Sequence, residues 1–256
     1  KLLNFFSLPV IILIAAIAPF QETRASHSMG IDLAYACLGN NQYKVTISFY
    51  RDCGGISAPS SFTLTVASAS CGQNFMFTLN QAGPAVEVSQ ICDAQINNST
   101  CQGGSIQGVE QYIYIDTITL PMNCTDWTFS TEECCRNALI TNLQAPDSRY
   151  MYVKATLNNV VDSCNNSTIL TNLPVPYICD GQPWNFNHGA VDIDGDSLVF
   201  SLVTPLDAGG VAIPYVSPFS PTYFMNTSSG TISFDPLNGQ ITLTPSGLQV
   251  CVATFL

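Results

Sequence analysis

The sequence predicts an all-β, disulfide-rich protein in which a β-sandwich-like N-terminal domain precedes a second, incomplete β-sandwich. Apolar and polar residues alternate along several short segments separated by Gly- and Asn-containing turns, as in strands that bury one face. All 11 cysteines lie after residue 36, and charged residues make up only 10% of the chain. No segment shows the sustained 3.6-residue apolar period of an amphipathic helix.

Six segments of the N-terminal part have strand patterning. In 42–51, apolar and aromatic residues occupy every odd position from Tyr43 to Phe49, with polar residues at the even positions between them. The other expected strands are 31–37, 61–67, 74–79, 109–120 and 150–157. A short helical turn is expected near 132–138. Short strands at this spacing are typical of a sandwich or barrel-like fold.

A domain boundary is predicted near 164–182, where prolines punctuate the chain and the density of cysteines falls. We therefore divide the chain into a cysteine-rich domain, 26–178, and a second β domain, 179–256. The strands expected in the second domain are 198–203, 231–234, 240–243 and 249–255. A sandwich usually has about seven strands, so we expect this domain to continue beyond Leu256.

Residues 1–25 have the order of a secretory signal peptide. Lys1 precedes an almost wholly apolar run, 5–17, and small residues flank a predicted cut after Ala25. The alternative is a membrane anchor, but this run is shorter than the roughly 20 residues that a spanning helix needs. Pro9 weakens a continuous helix further. We expect an exported protein whose mature chain is not inserted in a membrane.

The charge balance limits the partners of the chain. Its formal net charge is −11 at pH 7, with 18 acidic against seven basic side chains. Such a chain repels phosphate backbones, so nucleic acid is not an expected partner. Cations are attracted instead.

Disulfides are the expected role of the cysteines, because an exported chain meets oxidising conditions. Zinc binding is the competing interpretation, but only His27 and His188 could join the thiols and no CxxC pair occurs. The odd count leaves one thiol free or paired outside this chain. The cysteines expected in disulfides include Cys37, Cys53, Cys92, Cys101, Cys124, Cys134, Cys135, Cys164 and Cys179.

Three pairings are expected from local sequence. Cys164–Cys179 brackets the proline-containing link, Cys92–Cys101 closes a Gly- and Asn-rich loop, and Cys37–Cys53 flanks the ends of a predicted hairpin. The adjacent Cys134 and Cys135 are expected to bond to different partners.

The sharpest local motif is an acidic turn in the second domain. Asp192, Asp194 and Asp196 stand at spacing two around Gly195, an arrangement that can direct carboxylate oxygens at one Ca²⁺. An EF-hand is excluded because its twelfth position would be Val203 rather than Glu. The alternative is an Asp-Gly turn that binds nothing. Calcium is the only cofactor that the sequence suggests.

We find no catalytic constellation in the sequence. His188 has no accompanying GxSxG, HExxH or Cys–His pattern, so a structural or surface role is expected. Trp127, Tyr112 and Tyr114 could stack on sugars, although aromatic residues on strands mostly belong to the core.

Several motifs resemble one known family. They are 35–40 (YACLGN), 49–53 (FYRDC), 126–130 (DWTFS) with 134–137 (CCRN), and 187–198 (NHGAVDIDGDSL). Their order is similar to the N-terminal region of large Bacteroidota surface proteins described as gliding-motility-associated and exported by the type IX system. The last motif also resembles cadherin-like and PKD-like bacterial repeats. The resemblance covers nearly all of 26–250.

The resemblance implies a non-enzymatic adhesion or structural module of a larger protein at the cell surface, with a cadherin-like or Ig-like second domain. The implied partner is an unknown surface ligand, either a polysaccharide or another cell-surface protein. The alternative is a carbohydrate-binding module attached to a secreted enzyme, which would need exposed coplanar aromatic side chains. A secreted hydrolase would need a pocket that joins carboxylates, or a nucleophile and a base.

Overall fold

The computed structural model describes residues 28–174 and 177–256. The predicted signal peptide and His27 lie outside these residues. Strand accounts for 42% and helix for 7%, and the described helical segments are 3₁₀ turns of at most six residues. The predicted all-β, disulfide-rich fold class is therefore confirmed.

Eight strands build the N-terminal sandwich, and all their pairings are antiparallel. They are β1 (Ser28–Gly39), β2 (Gln42–Asp52), β3 (Ser61–Ser68), β4 (Gln73–Gln81), β5 (Val86–Glu87), β6 (Val109–Thr119), β7 (Trp127–Glu133) and β8 (Met151–Leu157). One layer has the order β1-β2-β6, with the short β5 also paired to β6, and the other has the order β4-β3-β7-β8. The layers join where Asn80 and Gln81 of β4 pair with β6.

The hairpin between β1 and β2 shows how local sequence produces this topology. Asn40 and Asn41 form its two-residue turn with φ of 52° and 57°. Asn tolerates positive φ better than most residues, and a turn with both φ values positive matches the twist of the flanking strands. The alternation predicted for β2 is observed, since Tyr43, Val45, Ile47 and Phe49 are all buried.

Aromatic side chains fill the space between the layers. Tyr35 of β1 reaches across to donate a hydrogen bond from its hydroxyl to the carbonyl of Thr156 in β8 (2.8 Å). Its ring centroid lies 5.0 Å from that of Phe129 in β7. The largest fully buried side chains are Trp127, Tyr43, Tyr114 and Phe129.

The rest of the chain forms shorter strands. They are β9 (Ile169–Leu170), β10 (Trp184–Phe186), β11 (Ala190–Val191), β12 (Leu206–Asp207), β13 (Val211–Ala212), β14 (Ser233–Phe234) and β15 (Ile241–Leu243). One sheet has the order β10-β15-β14, and β9 pairs with β11. β12 and β13 extend the β4-β3-β7-β8 layer, because Leu206 of β12 pairs with Tyr152 of β8.

A separate apolar cluster fills this second region, including Phe224, Met225, Ile241 and Leu243. A third, smaller cluster joins Ile140 and Leu143 of the first region to Ile213 of the second. The division at residue 178 stays a prediction, since the second region has its own cluster but also continues the sheet of the first.

Three expected elements differ from the structure. The helical turn expected at 132–138 is wrong, because β7 continues through Glu133 in register with β8 and its backbone groups are used by that ladder. The expected strands 198–203 and 249–255 meet instead through an isolated bridge, Leu202 with Phe255, and single backbone hydrogen bonds.

The cysteine pairs are Cys37–Cys164, Cys53–Cys101, Cys71–Cys124 and Cys134–Cys135. Multiple disulfides indicate an oxidising environment, as expected for a protein outside the cytosol. Cys92 and Cys179 are exposed free thiols, and Cys251 is a partly buried one. Their expected membership in disulfides is therefore wrong for Cys92 and Cys179. No helix in the described part of the chain is long and apolar enough to cross a membrane.

None of the three expected disulfide pairings occurs, because the sheet places these cysteines beside other partners. Cys37 lies opposite Tyr43 near the hairpin turn, whereas Cys53 follows the far end of β2, about 34 Å along the strand. Cys164 stays beside β1 because the amide of Cys37 donates to Asn166 Oδ1 (2.8 Å). Cys101 is bonded to Cys53, whose amide donates to the Gly108 carbonyl (3.0 Å). The adjacent Cys134 and Cys135 bond to each other rather than to different partners.

The connectivity predicts how stability responds to removal of one bridge. Cys37→Ser with Cys164→Ser opens a link between residues 127 apart, and should lower the free energy of unfolding by about 2–5 kcal/mol. Urea denaturation of residues 26–256 measures this. Cys92→Ser, which removes an exposed free thiol, is the control and should change it little. Peptide mapping that recovers Cys164 bonded to Cys179 would contradict the connectivity.

Candidate functional site

Three connections converge at one end of the sandwich. They are the β1–β2 turn with its flanks (38–41), the β6–β7 connection (120–126) and the chain that follows β8 (158–168), and we call them the loop end. Cys71–Cys124 fixes the second connection to the β3–β4 turn, with a Cα–Cα distance of 6.2 Å. Cys37–Cys164 fixes the third to β1, with a Cα–Cα distance of 5.3 Å.

Asn159 is the polar centre of the loop end and is fully buried. Its Oδ1 accepts a hydrogen bond from the amide of Cys124 (2.7 Å). Its Nδ2 lies 3.3 Å from Asn41 Oδ1 and 3.4 Å from both the Met122 carbonyl and Asn123 Oδ1. One side chain therefore contacts the other two connections, and its own buried polar atoms are satisfied as burial requires.

An open depression lies on this surface, with a cavity volume of about 460 Å³. It is lined by Gly39, Asn40, Asn41, Asn123, Ser163 and Cys164. These residues offer amide and hydroxyl groups and carry no charge, because Cys164 is bonded in a disulfide. The lining can donate and accept hydrogen bonds.

Exposed apolar side chains border these residues along the sequence. Val161 is 84% exposed, Val160 55%, Leu38 54% and Met122 42%. The loop end thus combines hydrogen-bonding amides with apolar contact area, the mixture found at surfaces that bind other molecules. Sequence reasoning missed this surface because its residues lie in three turns far apart in the chain. The repeated Asn residues in those turns were the available signal.

The acidic turn contacts the loop end directly. Asp194 accepts hydrogen bonds from both the amide and the Nδ2 of Asn166 (2.7 and 2.8 Å), and Asp196 accepts from Asn165 Nδ2 (3.0 Å). Asp192 Oδ1 accepts from the amides of Asp194 and Asp196 (2.9 and 3.2 Å). These bonds dock the second region onto the chain after Cys164.

The same bonds bear on calcium. Both oxygens of Asp194 are engaged with Asn166, so an ion would have to compete with those bonds. Within 28–174 and 177–256, no three His, Cys, Asp or Glu side chains are grouped to hold a metal ion. Calcium binding by Asp192, Asp194 and Asp196 stays a prediction.

His188 lies in an aromatic environment. Its ring centroid is 4.8 Å from that of Phe186 and 4.1 Å from that of Phe255, and 7% of the residue is exposed. Neither ring nitrogen has a hydrogen-bond partner. Burial lowers the pKa of this imidazole to about 4, so it is neutral near pH 7. Its surroundings are those of a core residue.

The aromatic residues considered for sugar stacking belong to the core. Trp127 and Tyr114 are fully buried, and Trp127 Nε1 donates to the Met122 carbonyl (3.4 Å). Tyr112 is partly buried and donates from its hydroxyl to Glu110 Oε2 (2.9 Å). None of the three provides a flat exposed surface.

Comparison of the chain with protein-family models, curated proteins and solved structures gives no match. The resemblance to gliding-motility-associated surface proteins therefore stays a prediction.

The role of Asn159 predicts a measurable loss. Asn159→Ala leaves the buried amide of Cys124 without its acceptor, which should cost about 1–3 kcal/mol of unfolding free energy. Asn97→Ala, at an exposed residue of the 3₁₀ turn Asp93–Asn98, is the matched control and should cost far less. Thermal melts of the two variants measure the difference. Equal losses would show that Asn159 does not hold the loops.

The buried imidazole predicts a pH dependence. An unfolded His188 takes up a proton below its ordinary pKa of 6.5, whereas the folded one does so only near 4. Folded-state stability should therefore fall as pH is lowered from 6.5 towards 4, by up to about 3 kcal/mol in all. His188→Leu should abolish this part of the slope, measured by urea denaturation at pH 7, 6, 5 and 4.

Two carboxyl groups act with the opposite sign, because burial raises the pKa of Glu133 as well as that of Asp32. Burial raises the pKa of Asp32 to about 6 despite a hydrogen bond from Tyr50, so its contribution to stability declines as pH rises from 3.8 to 6. Both proteins carry these contributions, so they cancel when the unfolding free energy of His188→Leu is subtracted from that of the unaltered chain at each pH. A difference that does not change between pH 7 and pH 4 would contradict a buried neutral imidazole.

Proposed function

We propose that this chain is an extracellular, non-enzymatic adhesion or structural module, exported through its N-terminal signal peptide, and that the loop end is its contact surface. One observation carries the proposal. Two disulfides and a buried asparagine hold three connections on a packed sandwich, where they present uncharged amides and exposed apolar side chains. Binding residues are commonly carried on loops that a rigid scaffold positions.

The composition of the loop end supports a protein or polysaccharide partner. Amide and hydroxyl groups of Asn40, Asn41, Asn123 and Ser163 can bond to backbone groups or to sugar hydroxyls. Val161 and its neighbours add apolar area that suits a protein surface. The six lining residues are uncharged, and the exposed carboxylate of Asp162 stands between Val161 and Ser163 in the sequence.

The alternative is a carbohydrate-binding module attached to a secreted enzyme. The amide lining supports it, whereas the burial of Trp127 and Tyr114 removes two of the aromatic rings on which sugars could stack. We therefore favour the adhesion or structural function. Membership of the gliding-motility-associated proteins would fit this function.

A binding experiment tests the proposal. The labelled secreted chain should bind intact cells that carry its ligand, and Val161→Glu should lower the affinity about tenfold by placing a charge in the contact surface. Leu248→Glu is the matched control, since Leu248 is fully exposed in the second region and the change in charge is the same. It should leave the affinity unchanged.

Treatment of the cells identifies the class of ligand. Loss of binding after protease indicates a protein partner, and loss after periodate indicates a polysaccharide. Equal affinities for Val161→Glu, Leu248→Glu and the unaltered chain would contradict a contact surface at the loop end. Release of cleaved polysaccharide over time would contradict a non-enzymatic module.

A further inference from the structure

Strand β4 leaves most of one edge unpaired. β3 pairs with it from Gln73 to Asn80, but on the opposite edge β6 pairs only with Asn80 and Gln81. No other strand in the described part of the chain pairs with β4 on that side, and no backbone hydrogen bond from a described loop reaches Asn74–Thr78. We call this stretch the open edge. Its backbone groups are available to another strand.

A hydrogen bond just after β4 shows which of its backbone N–H and C=O groups face the open edge. Ala82 directly follows β4, and its amide donates to the Ile113 carbonyl of β6 (2.7 Å). The backbone groups of this even-numbered residue therefore face the side of β4 on which β6 lies. Backbone groups alternate between the two edges of a strand. The N–H and C=O groups of Asn74, Met76 and Thr78 therefore face the open edge.

The side chains of the open edge are uncharged and largely apolar. Phe75 pairs with Val66 and Phe77 with Leu64 of β3, which places both rings on the core-facing side. Phe75 is nevertheless 36% exposed, because the layers are not joined here, and Met76 on the outer side is 73% exposed. β4 contains no charged residue and no proline. Proteins usually protect a free edge with such residues, so their absence indicates an edge that is covered.

Other strands at the margins of the layers are protected. β1 is covered by the chain after Cys164, since Tyr35 and Ser167 exchange hydrogen bonds that include the Ser167 amide to the Tyr35 carbonyl (3.0 Å). The part of β6 beyond its pairing with β4 carries the carboxylate of Asp116. The open edge of β4 is thus the uncharged one.

We propose that β4 is a dimer interface, in which the open edges of two copies of this chain pair antiparallel about Met76. In this register Asn74 lies opposite Thr78 of the second copy, Phe75 opposite Phe77, and Met76 opposite Met76. The even-numbered residues then exchange backbone hydrogen bonds. The Phe75 and Phe77 pairs occupy the closely spaced positions without hydrogen bonds, where aromatic side chains interact best.

A second copy is the favoured occupant because the sequence is self-complementary about this point. A two-fold interface requires the same surface to match itself, and the open edge places ring against ring and small polar side chain against small polar side chain. Two chains of net charge −11 repel each other, so contact is least unfavourable where charge is absent. The inference goes beyond the proposed function, and two joined copies would give two loop ends and hence stronger binding to a surface.

Sedimentation velocity of the secreted chain over a range of concentrations tests the interface. The unaltered chain should show a reversible monomer–dimer equilibrium. Met76→Lys places two like charges directly opposite each other at the two-fold axis and should raise the dimer dissociation constant at least about tenfold. Leu237→Lys introduces the same charge at an exposed apolar residue of the second region and should leave the constant unchanged.

A charge-reversal pair checks the register. Met76→Lys and Met76→Glu should each be monomeric alone, and an equimolar mixture should form a heterodimer because opposite charges then meet at the axis. Circular dichroism confirms that each variant is folded. A monomeric unaltered chain at its highest soluble concentration would overturn the proposal. So would equal weakening by Met76→Lys and Leu237→Lys, growth into open-ended aggregates, or capture of a foreign strand by a monomeric chain.

Discussion

Packing of two antiparallel layers around buried aromatic side chains determines where the other features of this protein lie. Trp127, Tyr43, Tyr114 and Phe129 are fully buried, and Tyr35 joins the layers through its ring and its hydroxyl. Each such burial contributes about 1.5–3 kcal/mol, which offsets part of the entropy lost on folding. Because this core fixes the register of the strands, it also fixes where the strands end and which connections meet.

The loop end is stabilised by interactions of a different kind. A disulfide typically contributes about 2–4 kcal/mol, and a satisfied buried amide such as that of Asn159 avoids a loss of about 1–3 kcal/mol. These values are small beside the whole core, so these interactions position the connections rather than determine the fold. The acidic turn then docks the second region through Asp194 and Asn166. The core and the proposed contact surface are thereby stabilised by different interactions.

The sequence predicted the parts that depend on local pattern. Alternation identified β2 and β3 within a few residues, because one face of each strand is buried and the other is largely polar. Features that depend on which strands become neighbours were missed. The partner of Cys37 is 127 residues away and is brought to it by the sandwich, not by proximity in the chain. The loop end likewise consists of residues from three connections that are far apart in the sequence. Two of the four segments expected as strands in the second region, 198–203 and 249–255, have no continuous strand partner.

Hydrogen exchange tests the central claim that the disulfides and Asn159 hold the loop end on a sandwich that folds without them. Amide exchange is measured before and after selective reduction of Cys37–Cys164 and Cys71–Cys124. The account predicts that the amides of Cys37 and Cys124 lose protection on reduction, since their acceptors Asn166 and Asn159 are no longer held, while β2 and β7 remain protected. Loss of protection throughout β2 and β7, or unchanged protection at the loop end, would contradict it.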